Sequence, residues 1–218
     1  MIHKQFESDG IVTFPSALAD IDEDQLLEEV LTSIENGRVE TWEKKLRVQT
    51  LMKETPEALK VLNRIRGYAE EIGGEAYKKN DTKQLREFAS LTGYPGCKAQ
   101  CWHRDSTEKR AVMMTGFMNI FSTTKENGSL QVVQGTHKNI KWLEAINSSN
   151  VVTIELPEKS LTFIDSRLIH RGGANRSKRE IRPIVYASFG QGDLNDPGYF
   201  IHCDLIGKHS LHSKSEID

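Results

Sequence analysis

Gln100-Cys101-Trp102-His103-Arg104-Asp105 decides how the rest of the chain is read. Residues two apart on a β-strand point to the same face. On a strand, His103 and Asp105 would project side by side into one space, while Trp102 and Arg104 face the other way. An imidazole beside a carboxylate is two thirds of the 2-His-1-carboxylate triad that binds iron in non-haem oxygenases. His-x-Asp is common by chance, so the pair needs a third ligand and a fold that brings it close.

From about residue 83 onward the chain reads as short strands between turns, over 84–94, 99–105, 111–121, 129–134, 151–156, 160–165 and 181–189. Asn127-Gly128 and Pro157-Glu158-Lys159 mark tight turns. Many short strands with regular turns predict a sandwich or jelly roll. The earlier part differs in texture. Residues 6–14 form an opening segment with a turn at Asp9-Gly10 and a β-prone run at Ile11-Val12-Thr13-Phe14. A helix is expected over 22–36, where Leu26, Leu27, Val30, Leu31 and Ile34 recur at helical spacing before Gly37. A second helix has Thr55 as N-cap, Pro56 at its first position and Glu57 in its first turn. Its apolar face is Leu59, Leu62, Ile65, Ala69 and Ile72, and Gly73-Gly74 is expected to end it. The fold class is therefore mainly β with N-terminal helices. One domain is expected over 1–218: a helical part at about 1–80, a β core at about 84–190 and a polar, frayed tail at 207–218.

Composition narrows the classes of function. The 218 residues are 37% hydrophobic and 28% charged, with a net charge of −2 and no dense basic stripe. Nucleic acid is not expected as a partner. No apolar run approaches the ~18 residues of a membrane span, and the first residues lack a signal peptide's apolar region. A cytoplasmic protein without a membrane partner is expected. Three cysteines, Cys97, Cys101 and Cys203, do not make a disulfide framework. Nothing in the sequence addresses oligomeric state.

The third ligand has two candidates, His137 and His170. His137 sits in a turn-like setting after Gly135-Thr136. His170 follows the apolar run 161–165 and precedes the turn Gly172-Gly173-Ala174-Asn175. A histidine at the end of a late strand can face an early strand across a barrel, which favours His170. On the last strand, alternation places Arg182, Ile184, Tyr186 and Ser188 on one face. An arginine facing into a barrel carries a charge that costs several kcal/mol unless an anion meets it. A dicarboxylate that binds the metal at one end would supply that anion at the other. The alternatives are an Arg182 that points outward or pairs with Asp165 or Glu180.

Four stretches together resemble the phytanoyl-CoA dioxygenase family of Fe(II)/2-oxoglutarate oxygenases. They are the opening Phe6-Glu-Ser-Asp9-Gly10 with Val12, and Pro95-Gly96 through Gln100, His103 and Asp105. The others are Asn127-Gly128-Ser129-Leu130 through Gly135-Thr136-His137-Lys138, and His170 through Ser177 followed by Arg182. The resemblance implies a double-stranded β-helix, the cupin-like jelly roll. It implies iron held by His103, Asp105 and His170, with 2-oxoglutarate and dioxygen as cosubstrates. It implies Arg182 as partner of the far carboxylate of 2-oxoglutarate, Gln100 reaching the cosubstrate, and Phe117 as an aromatic neighbour. Asn127 and Lys138 are expected to serve the turn only. The activity implied is oxidation of a small-molecule substrate with release of succinate and CO2, and the intact Asp105 favours hydroxylation over halogenation. Desaturation and ring formation share the same chemistry.

The chain departs from the family at three points, the least of them Gln134, which stands where Pro is common and affects only the turn. Arg182 follows His170 by twelve residues, one more than in some members, so Arg179 is a rival. Gly172 stands where some members carry a hydroxyl, and Ser177 is the candidate replacement. Trp102 is expected to pack. The segment 38–54, with Trp42 and the basic Lys44-Lys45-Leu46-Arg47, is expected to be a solvated loop or helix face. Two rival readings remain: a structural zinc site built from Cys97, Cys101 and His103 with Cys203 or His202, and a catalytically silent jelly roll that binds a ligand.

Overall fold

The computed structural model describes residues 2–36, 39–42, 46–79, 85–106, 113–138, 151–190, 200–201 and 210–211. For 39–42, 74–79, 113, 200–201 and 210–211 only the main chain is described.

Two antiparallel sheets face each other, and helices cover one of them. The elements run α1 (Ile2–Asp9), β1 (Ile11–Phe14), α2 (Glu23–Asn36), β2 (Val39–Trp42), β3 (Arg47–Leu51), α3 (Pro56–Lys79) and β4 (Leu85–Gly93). They continue with β5 (His103–Arg104), β6 (Met113–Asn119), β7 (Leu130–Val133), β8 (Val151–Ile154), β9 (Leu161–Asp165) and β10 (Ile169–Gly172). Last come β11 (Arg182–Gly190), β12 (Phe200–Ile201) and β13 (Ser210–Leu211). The larger sheet has the order β1-β9-β6-β11-β4-β3-β2 and the smaller β13-β12-β5-β10-β7-β8. This is the expected jelly roll, mainly β with N-terminal helices.

Alternation along β11 shows how the layers form. Every residue of β11 is buried, so both of its faces are covered. Val185, Ala187 and Phe189 turn towards α3, where Val61, Leu62, Ile65, Ala69 and Ile72 meet them. Ile184, Tyr186 and Ser188 turn into the space between the sheets. There Ile11, Val132, Ile164 and Leu168 form a second cluster with Phe117 against it. Gly116 on β6 lets α3 approach: a Cβ there would lie 2.6 Å from Ile65 Cγ2 and 2.7 Å from Phe163 Cε1.

The strand readings near 85–93, 113–119, 130–133, 151–154, 161–165 and 182–190 agree with the structure. Four features differ. Within the segment 38–54, Val39–Trp42 and Arg47–Leu51 pair as β2 and β3, and β3 pairs with β4 in the larger sheet. The predicted strand at 99–105 shrinks to His103–Arg104, because Gln100 pairs with the Gly172 carbonyl by its backbone outside any ladder. The helix α3 runs through Gly73-Gly74 to Lys79. Two glycines cost roughly 1 kcal/mol each, and packing outweighs that: α1 lies alongside, with His3 Nδ1 bonded to the Ile72 carbonyl. Finally, Ser210–Leu211, the described part of the polar tail, pairs with β12.

The cap of α3 is also not the one expected. The Thr55 carbonyl accepts the first helical bond, but its hydroxyl donates to Glu29. The Glu29 carboxylate, from α2, accepts the amides of Glu57 and Ala58. An anion at a helix N-terminus satisfies those amides and meets the positive end of the helix dipole. Among the described helices, none is long and apolar enough to cross a membrane.

Candidate active site

The smaller sheet brings the two histidines together. His103 on β5 lies directly opposite His170 on β10. Their rings stand 4.3 Å apart, centroid to centroid. Asp105 follows two residues after His103 on the same face, with Oδ1 3.7 Å from His103 Nε2 and 3.5 Å from His170 Nε2. Both separations are too long for hydrogen bonds. The three ligand atoms all lie within 4.8 Å of one another, and all three residues are buried.

Each imidazole is oriented in the same way. His103 Nδ1 is 2.9 Å from the Cys101 carbonyl, and His170 Nδ1 is 2.9 Å from the Leu168 carbonyl. A carbonyl can only accept, so each Nδ1 carries the proton and each Nε2 presents a lone pair. Burial holds both imidazoles well below their usual range, at about 4, and for His103 the neighbouring His170 adds to this. Burial pushes the Asp105 carboxyl up to about 6, against the pull of His103. At neutral pH the cluster is two neutral imidazoles and a carboxylate, the protonation that metal binding requires. Metal–ligand bonds of roughly 2.0–2.2 Å reach such a cluster from its centre with small adjustment. The residues therefore fit a divalent iron with positions left open for a cosubstrate.

A second constellation lies further along β10. The registers of β3, β4 and β11 put Arg47, Gly93 and Arg182 in one row. Arg182 is buried, at 5% exposure, and among the described residues its Nε and Nη2 have no hydrogen-bond partner. Burial first, and Arg47 second, bring Arg182 down to about 10, so it stays charged at neutral pH. The Gly172 amide donates to Gln100 Oε1 at 2.8 Å. A Cβ at Gly172 would lie 2.7 Å from Gln100 Oε1, 2.9 Å from Arg47 Nη1 and 3.3 Å from Arg182 Nη2. Gln100, Arg47 and Arg182 thus converge on a backbone that only glycine keeps clear. Gly172 is two residues beyond His170, about 7 Å along a strand. The orphaned donors of Arg182 fit the far carboxylate of a short dicarboxylate bound at the metal.

The other sequence candidates fall elsewhere. Phe117 faces the same interior but stands beside Tyr186, 5.8 Å between centroids. Arg179 is exposed. Asp165 pairs with Arg167, at 2.6 Å, rather than with Arg182. Ser177 is committed to its turn, bonded to Asn175 Oδ1 and the Glu180 carbonyl, so it does not replace the hydroxyl absent at Gly172. His137 bonds the Glu7 carbonyl, and Asn127 closes the turn through Thr124 and Ser122. Trp102 packs on Val133 and Ile169, with Arg171 4.3 Å over its ring. Arg104 points away from the cluster and donates to the Thr136 carbonyl.

Two readings need correction or limits. Arg47 was expected on a solvated face but is 1% exposed. Its basic neighbours Lys44 and Lys45 lie outside the described residues, and the Trp42 side chain is not described. Only pairing of β3 beside β4 turns Arg47 inward, and a basic tetrad carries no signal of that. Among the described residues, no metal-binding group includes Cys97 or Cys101. Cys97 Sγ lies instead by Arg47 Nη2, at 3.5 Å. Cys203 and His202 of the rival zinc reading lie outside the described residues.

Known proteins share this fold. Solved structures with the same fold include the epimerase SnoN in complex with Fe3+, α-ketoglutarate and nogalamycin RO. It is 18% identical, with a TM-score of 0.69, covering 89% of this chain and 84% of that one. The α-ketoglutarate-dependent carbocyclase SnoK from nogalamycin biosynthesis is 14% identical, with a TM-score of 0.71 and coverage of 89% and 85%. A curated relative, dioxygenase easH of Epichloe festucae var. lolii, is 26% identical over 96 residues, 40% of this chain. The chain spans 52% of that relative's length. The phytanoyl-CoA dioxygenase (PhyH) family model matches residues 6–184. With the match running through the strands that carry His103 and His170 and on to Arg182 and Ile184, the chain belongs to the phytanoyl-CoA dioxygenase family, whose cofactors are iron and 2-oxoglutarate.

Proposed function

We propose that this protein is an Fe(II)- and 2-oxoglutarate-dependent dioxygenase that hydroxylates a small-molecule substrate. One observation carries the reading: two Nε2 lone pairs and a carboxylate oxygen converge within 4.8 Å in a buried site. His103, Asp105 and His170 would hold the iron. Arg182 would bind the far carboxylate of 2-oxoglutarate, with Gln100 beside it. The chemistry that iron and 2-oxoglutarate supply when bound is insertion of one oxygen atom of dioxygen into a C–H bond, the other leaving in succinate as CO2 is released.

The chain's own residues do the rest. The Cys101 and Leu168 carbonyls hold the imidazole protons on Nδ1, so neither histidine needs to lose a proton to bind metal. Arg182 meets its anion in a desolvated pocket, where a charged, bidentate pair is stronger than at the surface. Phe117, Tyr186, Ile184 and Val132 line the same interior and exclude water from the reacting centre. Asp105 supports hydroxylation over halogenation, since it fills the position a halide would need. Pairing of β1 with β9 and of β3 with β4 supports one catalytic domain spanning the chain. The buried, free thiol of Cys97 supports a cytoplasmic setting.

The test is anaerobic. Fe(II) and 2-oxoglutarate added together should give the weak visible charge-transfer band of a chelated 2-oxo acid. A substrate screen read by succinate formation should then find turnover that stops in His170→Ala. Folded protein that shows neither the band nor iron-dependent succinate would overturn the reading.

A further inference from the structure

We propose that Gln49 is a specificity-determining residue of the substrate pocket, whose side-chain carbonyl accepts a hydrogen bond from a hydroxyl or N–H group on an otherwise apolar substrate. This rests on the oxygenase reading above and names a chemical class for its substrate.

Gln49 lies on the inner wall at the level of the metal-facing cluster. On β3 it pairs with Leu91 of β4, which pairs with Ile184 of β11. Alternation turns these three side chains into the space between the sheets, while Thr50 turns the other way and donates to the Ser33 carbonyl of α2. The cluster is bracketed along β11. At one end Gly172 lies against Arg182. At the other the Ser106 amide donates to the Ser166 carbonyl, and hydroxyl separations of 3.4 and 2.9 Å lead from Ser166 through Thr115 to Ser188. His103, Asp105 and His170 therefore fall between the levels of Arg182 and Ser188, and so do Ile184, Leu91 and Gln49.

The amide of Gln49 is held in one orientation. Its Nε2 donates to Glu87 Oε1 at 2.8 Å. Glu87 pairs with Ser188, so the two side chains meet over Ala89, the small residue between them on that face of β4. A carboxylate accepts and an amide nitrogen donates, which fixes the way the amide is turned and leaves its oxygen for another donor. Among the described residues no group donates to Gln49 Oε1. Gln49 is half-buried, and Oε1 is not enclosed. The surroundings are apolar. Phe117 and Tyr186 stand 5.8 Å apart on the same wall, Leu91 is half-buried, and Leu51, on the same face of β3, is 59% exposed at the rim. An apolar wall with one oriented polar group takes an apolar skeleton and sets its orientation through that group.

The test uses protein loaded with Mn(II) and 2-oxoglutarate, and ligand-observed NMR titration with matched probes: 2-naphthol with 2-methoxynaphthalene, and borneol with its methyl ether. Each ether keeps the skeleton and loses the donor. Line broadening by Mn(II) shows that a probe sits beside the metal. The alcohols should bind about 3- to 10-fold more tightly than the ethers, the contribution of one hydrogen bond. Gln49→Met should erase that ratio and leave ether binding and 2-oxoglutarate affinity within about twofold. A ratio that survives Gln49→Met, alcohols that bind no better than ethers, or probes that bind without broadening overturn the proposal. So does the failure of every probe to bind. If Gln49→Met folds poorly, Glu87→Gln takes its place, since it frees the Gln49 amide to turn. The ratio should then fall, and an unchanged ratio counts against the proposal. If wild-type protein with Mn(II) binds no 2-oxoglutarate, the oxygenase reading falls. If it binds 2-oxoglutarate but shows no preference for the alcohols, only the role of Gln49 falls.

Discussion

His103 and His170 each give their Nδ1 proton to a carbonyl two residues back in the chain. The same local geometry on two antiparallel strands leaves both Nε2 atoms facing Asp105. Neither imidazole needs a distant side chain to set its tautomer, so the site is prepared by backbone alone. Loss of one ligand should then be felt in metal affinity with little change elsewhere. Outer contacts of a metal site are typically worth about 10–100-fold in affinity. His170→Ala, which removes a proposed ligand, should cost at least about 100-fold in Fe(II) affinity, measured by anaerobic equilibrium dialysis. At this scale His103, Asp105, His170 and Arg182 are legible from residue type and order. Arg47 is not, because the basic run it belongs to looks solvated until a neighbouring strand is known.

At the scale of elements, α3 is the piece that ties the helices to the larger sheet. Its apolar stripe lies on β6 and β11, and Gly116 makes the approach close enough for Ile65 to touch the strand. Gly116→Ala should overpack this contact and lower stability by about 1–3 kcal/mol, read from urea unfolding. The start of α3 depends on Glu29 of α2, and the start of α2 is bonded in return, the Asp22 amide to Glu57 Oε2. Glu29→Ala should cost about 0.5–2 kcal/mol, the range for a lost cap, again by urea unfolding. Periodicity shows both helices in the sequence, but not this exchange of caps. A carboxylate 26 residues before Thr55 can outcompete that local threonine only once the helices are side by side. The overrun of α3 past Gly73-Gly74 has the same cause, since packing along α1 outweighs a propensity cost.

At the scale of the molecule, the metal and cosubstrate would sit between the two sheets and tie them together. Ligands that bind only the folded state stabilise it by about 2.7 kcal/mol at a hundredfold excess over Kd. For a chain of this size that shifts Tm by roughly 5–10 °C. Mn(II) with 2-oxoglutarate should produce such a shift, and chelator should reverse it, by differential scanning calorimetry. No shift at saturating concentrations would count against a site that bridges the sheets.

The amino-acid sequence by itself determined the class of fold and the chemistry on offer. Strand alternation, turn residues and helical spacing are local, so the jelly-roll core, the two longer helices and the His103-x-Asp105 pair can all be read in order. Tertiary structure decided what depends on pairing between distant strands. Setting β10 opposite β5 puts His170 against His103, 67 positions later in the chain. Setting β3 beside β4 buries Arg47 next to Arg182. A strand's partner is chosen by the packing of whole sheets, and no local pattern around Arg47 carries that choice.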